Sequence, residues 1–125
     1  MKNYFNLGLR LFPITRSLTG KGVVKSLKII KEYIKELKIK KIKSGSKLFD
    51  WVIPNEWNIK DAFVLDKYGK KIIDFKKNNL HIINYSKPVD LEISKKNFLK
   101  KVYSLKKNPS AIPYITSYYK SRWGF

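Results

Sequence analysis

The side chains that could act in acid–base or metal chemistry are few. The single histidine is His81, within the strand-like residues 80–85. Five carboxylates precede it in the same half of the chain, namely Asp50, Glu56, Asp61, Asp66 and Asp74. A hydrolytic metal site needs three or more convergent ligands and an open position for water. No two of these residues have a recognised metal-ligand spacing, so a structural, hydrogen-bonded His81 is favoured over a metal ligand. We predict no catalytic, cofactor-binding or metal-binding residue in this chain.

Motifs for nucleophilic catalysis and nucleotide binding are equally thin. The sequence contains no Gly-x-Ser-x-Gly elbow, no Gly-x-x-x-x-Gly-Lys-Ser/Thr loop and no Gly-x-Gly-x-x-Gly after a strand. Residues 19–22, Thr-Gly-Lys-Gly, precede a helical pattern, and N–H groups at helix starts bind anions. A flexible, capped helix start explains this stretch more simply.

The composition predicts a folded, basic protein. The 125 residues are 43% hydrophobic, and 28 Lys and Arg oppose 9 Asp and Glu, for a formal charge of +19. Arginine, which grips phosphates and base edges best, occurs only three times. We therefore expect nucleic-acid binding only as weak electrostatic attraction. A free-standing basic module for nucleic acid or another polyanion is the alternative function.

Cysteine usage and hydropathy bear on the compartment. With no cysteine there is neither a disulfide framework nor a thiolate metal site, which is compatible with a reducing cytoplasm. No signal-peptide core and no run of 18 apolar residues is present. We expect a cytoplasmic protein that does not interact with a membrane.

Residues 20–38 have the spacing of an amphipathic helix. Its predicted buried face comprises Val23, Leu27, Ile30, Ile34 and Leu37. Either Ser17 or Thr19 could cap its first turn with a side-chain oxygen.

The rest of the chain favours short strands and one short helix. Residues 47–53 alternate like a strand, and residues 62–65 and 71–75 flank a turn at Gly69. Residues 80–85 would add a third strand to an antiparallel meander. Ser94 would cap a helix reaching Leu105, and residues 108–125 look extended. The predicted fold class is α+β: an N-terminal amphipathic helix, then a small domain with an antiparallel β-sheet and one short helix.

Four sequence blocks carry a family resemblance. They are residues 11–20 (LFPITRSLTG), 49–59 (FDWVIPNEWNI), 73–81 (IDFKKNNLH), and 112–120 (IPYITSYYK) with 122–125 (RWGF). Together they resemble the start of the bacterial zinc aminopeptidase-like proteins, in which a domain of unknown function is inserted into a peptidase-type α/β domain and a winged helix follows. Thr15 stands where cysteine is more usual in that family.

The resemblance implies a division of the chain and of the chemistry. Residues 1–38 would be a helical segment of the aminopeptidase-like domain, and residues 39–125 the inserted α+β domain. In the family the His, Asp and Glu metal ligands follow the Trp-Gly-Phe block. The resemblance thus implies an N-terminal fragment that is inactive alone, with zinc only in the full-length parent. Its partner would be the missing or separately encoded catalytic portion.

Seven residues are candidates for a cleft or interface of such a protein. They are Arg16, Asp50, Trp51, Trp57, Tyr118, Tyr119 and Trp123. The aromatic members, with basic neighbours, could also stack on bases or sugars, although core or interface packing explains them more simply.

Overall fold

The computed structural model describes residues 4–125 and divides into two compact units, one running to Ile59 and the other from Lys60 to Phe125. The first unit contains helices α1 (Tyr4–Leu11) and α2 (Lys21–Tyr33) and strands β1 (Lys47–Leu48) and β2 (Trp51–Val52). The second contains strands β3 (Phe63–Leu65) and β4 (Lys71–Asp74), the 3₁₀ turn Asn79–His81 and helix α3 (Lys95–Leu99). This is the α+β class that the sequence predicts. The domain boundary between residues 38 and 39 stays a prediction. No helix within residues 4–125 is long and apolar enough to cross a bilayer.

Helices α1 and α2 pack against each other in the first unit. Arg10 on α1 donates two hydrogen bonds to the Glu32 carboxylate on α2, at 2.6 and 3.0 Å. On α2 the buried residues are Ser26 and Ile29, so the buried face is centred beside the predicted one. The helix ends at Tyr33 and leaves Ile34 exposed, which makes it shorter than predicted.

The start of α2 is capped from a distance. The backbone N–H of Lys21 donates to Asn58 Oδ1 at 2.7 Å, and no side-chain cap comes from the residue that precedes the helix. The predicted cap by Ser17 or Thr19 is therefore wrong; the Thr19 hydroxyl instead donates to the carbonyl of Asn55. A residue preceding the helix is the usual cap, but any nearby acceptor satisfies a free first-turn N–H.

Strands β1 and β2 form a tight antiparallel pair, with Lys47 opposite Val52 and Leu48 opposite Trp51. Phe49, between them, has a positive φ of 54°. The prediction of one continuous strand over residues 47–53 is wrong, because the chain reverses at this left-handed residue.

The predicted hairpin in the second unit is confirmed. Strands β3 and β4 pair antiparallel, with Phe63 opposite Asp74. At the turn Gly69 has a φ of 80°, and Asp66 Oδ1 accepts hydrogen bonds from the N–H groups of Tyr68 and Lys70. Both devices are local, which is why the sequence alone indicates them.

The predicted third strand over residues 80–85 is wrong. Its first residues form a 3₁₀ turn, which begins where Asn78 Oδ1 accepts from the N–H of Leu80. The following residues turn to the C-terminal segment: the N–H of Ile83 donates to the Gly124 carbonyl at 3.2 Å, and Asn84 forms a parallel bridge with Thr116.

Helix α3 begins at the predicted cap, since the Ser94 hydroxyl accepts from the N–H of Asn97. It ends at Leu99, six residues before the predicted limit of Leu105. The helix ends there because backbone groups that could continue it form hydrogen bonds with Phe125 instead. The N–H of Tyr103 donates to Phe125, and the N–H of Phe125 donates to the carbonyl of Lys101.

Candidate functional site

Two of the seven candidates, Arg16 and Trp57, make contacts within the first unit. The Arg16 guanidinium donates from Nη1 to the Leu11 carbonyl at 2.6 Å and, at 3.4 Å, to the Ser26 hydroxyl. Arg16 therefore fixes the segment between α1 and α2. The Trp57 carbonyl lies against Gly20, where an added Cβ would approach it to 2.5 Å. A cleft or interface role for Arg16 and Trp57 stays a prediction.

Asp50 and Trp51 lie at the reversal between β1 and β2. Both residues are exposed, and Trp51 stands opposite Leu48 in the register. The pair thus presents a carboxylate and an indole together at one accessible turn. A cleft or interface at this turn stays a prediction.

The other three candidates belong to two aromatic groups in the second unit. The Tyr118 ring contacts those of Tyr85 and Tyr119 edge to face, with centroids 5.2 and 4.7 Å apart. Trp123 lies 6.3 Å from Phe125, and the Lys101 ammonium lies 5.5 Å from the Trp123 ring. Tyr119 is exposed, so it is the most accessible of these three candidates to a ligand or partner.

The final residues of the chain are an integral part of the second unit. Arg122 Nη2 donates to the Thr116 carbonyl at 2.9 Å, and Nη1 lies 3.3 Å from the Tyr103 hydroxyl. Gly124 is buried, and a Cβ there would come within 2.6 Å of both Ile83 Cδ1 and the Lys101 carbonyl. Residues 123–125 therefore pack within their own unit.

His81 has a local hydrogen-bonding partner. Its Nε2 lies 3.3 Å from the Asn78 side-chain nitrogen, at the edge of an open, mainly apolar cavity of about 430 Å³. Among residues 4–125, no three His, Cys, Asp or Glu side chains gather closely enough to hold a metal ion. The residues present therefore do not fit a zinc site.

Two ion pairs shift the pKa values of their members. The hydrogen bonds from Arg10 lower the pKa of Glu32 and raise that of the arginine. In the second unit Lys76 Nζ lies 3.0 Å from Asp61 Oδ2, which lowers the pKa of Asp61 and raises that of Lys76. In both pairs the pKa of the carboxyl group is lowered and so moves further below neutral pH. A general base that acts at pH 7 would need a raised carboxyl pKa. The lowered values indicate structural pairs rather than acid–base catalysts.

The fold and these contacts define a small α+β protein whose described residues contain no metal-binding group. The chain belongs to the family described as a domain of unknown function, DUF2172, whose model matches residues 56–125.

A relative from Clostridium acetobutylicum carries the provisional name of a polysaccharide biosynthesis protein with an aminopeptidase-like domain. It is 50% identical over 121 residues, which are 97% of this chain and 28% of that protein. A crystal structure of a provisionally assigned peptidase from the same organism matches with a TM-score of 0.91 and 50% identity, again over 97% of this chain and 28% of the solved one. The chain thus spans little more than a quarter of these relatives, and the matched part is N-terminal. The predicted resemblance to the aminopeptidase-like family is confirmed.

Helix α1 was not predicted, although the sequence contains a helical pattern there. Phe5, Leu9 and Phe12 have the i, i+4, i+7 spacing of one helical face. The short length of the helix and the central Gly8 obscured that signal.

Proposed function

We propose that this chain is the N-terminal part of an aminopeptidase-like protein and that it has no catalytic centre of its own. The intact protein would hydrolyse an N-terminal peptide or amide bond. One observation carries the proposal: nearly the whole chain matches, at 50% identity, only 28% of a relative whose name includes an aminopeptidase-like domain. The fold agreement with the solved peptidase supports it.

Metal chemistry would belong to the part of the aminopeptidase-like protein that this chain does not include. The zinc that the resemblance implies would be held by residues outside this chain and would supply Lewis-acid chemistry there. The contribution of this chain would be a scaffold and the shaping of substrate access. Asp50, Trp51 and Tyr119 suit the second role, because they are exposed and able to contact a ligand.

Two classes of substrate contain the kind of amide bond that the intact protein would hydrolyse. An aminopeptidase-like centre attacks an amide, and the relative's name also includes polysaccharide biosynthesis. Both peptides with a free N-terminus and N-acyl amino sugars contain such an amide. Both classes should therefore be tested.

The test compares three proteins in the presence of zinc. They are this chain alone, the intact C. acetobutylicum relative, and a fusion in which this chain replaces the matched N-terminal part of that relative. We expect amide hydrolysis by the relative and by the fusion, and none by the chain alone. Zinc-dependent hydrolysis that stays with the isolated chain through repurification would contradict the proposal. So would an inactive or unfolded fusion beside an active relative.

A further inference from the structure

One side of helix α1 is apolar and uncovered. This outer face of α1 consists of Phe5, Gly8, Leu9 and Phe12, and its three large side chains are 73%, 58% and 76% exposed. The opposite side of the helix, with Leu7 and Leu11, is half-buried. A helix that is apolar on both sides is normally buried on both. The outer face therefore lacks a covering element within the first unit.

The exposure does not come from a loosely held helix. The two hydrogen bonds between Arg10 and Glu32 attach α1 to α2. The Arg16 guanidinium holds the Leu11 carbonyl at the end of α1, and the Phe12 N–H continues the helical pattern by donating to Gly8. Helix α1 is thus fixed in orientation, and its outer face points away from α2 as a formed surface.

Gly8 gives a second, independent indication. It lies inside a helix, where glycine is a poor former, and a Cβ added there would meet nothing within 4 Å. No contact in the described chain requires a glycine at this position. A glycine on a helix face allows the backbone of another element to approach closely.

The surface area of the chain points the same way. It exposes 10570 Å². Two separate globular units of half its 14.8 kDa mass would together expose only about 8,400 Å² by the usual scaling of area with mass. The excess is consistent with surfaces that another polypeptide covers.

We propose that the outer face of α1 docks on the remaining part of the aminopeptidase-like polypeptide. This inference rests on the proposed function. The occupant follows from the solved peptidase, in which the same fold accounts for 28% of a longer chain. The chemistry of the face agrees, since the one cation on the helix, Arg10, is paired with Glu32. An uncharged aromatic and aliphatic face fits the apolar surface of a protein better than an anionic lipid or nucleic acid.

The experiment uses the absence of native cysteine. Leu9→Cys and Phe12→Cys place a thiol on the outer face of α1, and Lys28→Cys places a matched thiol on the exposed lysine side of α2. Each variant is prepared in the chain alone and in the fusion with the C. acetobutylicum relative. The rate of alkylation is followed by peptide mass spectrometry, which separates these thiols from any in the relative.

We expect similar alkylation rates for all three thiols in the chain alone. In the fusion, the thiols of Leu9→Cys and Phe12→Cys should be alkylated at about one tenth of that rate or slower, because a covered thiol reacts only on local opening. Lys28→Cys should keep its rate. Unchanged rates at Leu9 and Phe12 in an active fusion would overturn the docking inference and leave the proposed function standing. Equal slowing at all three sites would overturn it too, as would concentration-dependent protection of Leu9→Cys in the chain alone, which would make a second copy the occupant. An inactive fusion beside an active relative is a failure of the proposed function instead.

Discussion

Gly124 shows how one residue position can bring distant segments of the second unit together. Its carbonyl accepts from the N–H of Ile83, and its Cα lies so close to the Lys101 carbonyl that no side chain fits. The glycine thereby allows three segments that are distant in sequence to meet. Gly8 is the opposite case, because open space surrounds it.

These two glycines give a matched pair of substitutions. Gly124→Ala should destabilise the chain by about 2 kcal/mol or more, since a Cβ within 2.6 Å of backbone and side-chain atoms forces the segments apart. Gly8→Ala should be neutral or stabilise by up to about 1 kcal/mol through helix propensity. Urea unfolding followed by circular dichroism measures both. Equal stability of the two variants would contradict the close packing at Gly124.

The Arg10–Glu32 pair predicts a pH dependence with a definite sign. Hydrogen bonds from Arg10 hold the pKa of Glu32 below its ordinary value in the folded chain. The stabilisation is therefore present above the unfolded-state pKa of about 4.3 and is lost as the pH falls through the lower folded value. The free energy of unfolding of the native chain should exceed that of Glu32→Gln at neutral pH, with the difference shrinking in acid. The effect should be small and should weaken with salt, because both groups are exposed. An NMR titration should find the pKa of Glu32 lowered, and restored in Arg10→Gln; an unshifted pKa in the native chain would rule the pair out.

Among the elements, α2 depends on a distant residue for its first turn. Asn58→Ala removes the oxygen that accepts from the Lys21 N–H. It should cost about 0.5–2 kcal/mol of stability, as for other lost caps. Asn58→Asp keeps the acceptor and adds a charge that suits a helix N-terminus, so it should retain or raise stability. Ser17→Ala is the control and should change little. Thermal unfolding of the three variants measures this, and a larger loss for Ser17→Ala than for Asn58→Ala would show that the cap is assigned wrongly.

The elements also show what the sequence could and could not predict. The β3–β4 hairpin was predictable because Asp66 and Gly69 determine its turn locally. The C-terminal end of α3 and the absence of the third strand were not predictable, because the N–H groups of Tyr103 and Ile83 bond to residues 125 and 124. Such long-range pairing has no local signature. The candidate site had the same difficulty, since nothing in the sequence around Arg16 indicates that its guanidinium binds the Leu11 carbonyl.

At the scale of the whole molecule, the charge must be weighed against where the cations lie. All three arginines have partners within the chain: Arg10 binds Glu32, Arg16 binds the Leu11 carbonyl, and Arg122 binds the Thr116 carbonyl. Bidentate recognition of phosphate or guanine edges relies mainly on free guanidinium groups. Lysines, which attract phosphate as point charges, are therefore the cations left for a polyanion. The +19 charge should produce attraction without recognition.

This arrangement predicts how the chain should bind DNA. By fluorescence anisotropy, duplexes of different sequence should bind equally, with dissociation constants of about 1 μM or weaker at physiological salt. The logarithm of the binding constant should fall steeply and linearly with the logarithm of salt concentration, because binding releases counterions. Lys25→Ser, Lys28→Ser and Lys31→Ser should each weaken all duplexes alike and reduce the slope by about one when the lysine contacts a phosphate. Arg122→Lys should leave the affinity unchanged. Tight, sequence-dependent binding that persists at about 0.2 M salt would instead favour the free-standing polyanion-binding module, because lysine attraction alone gives only weak, sequence-blind binding at that ionic strength.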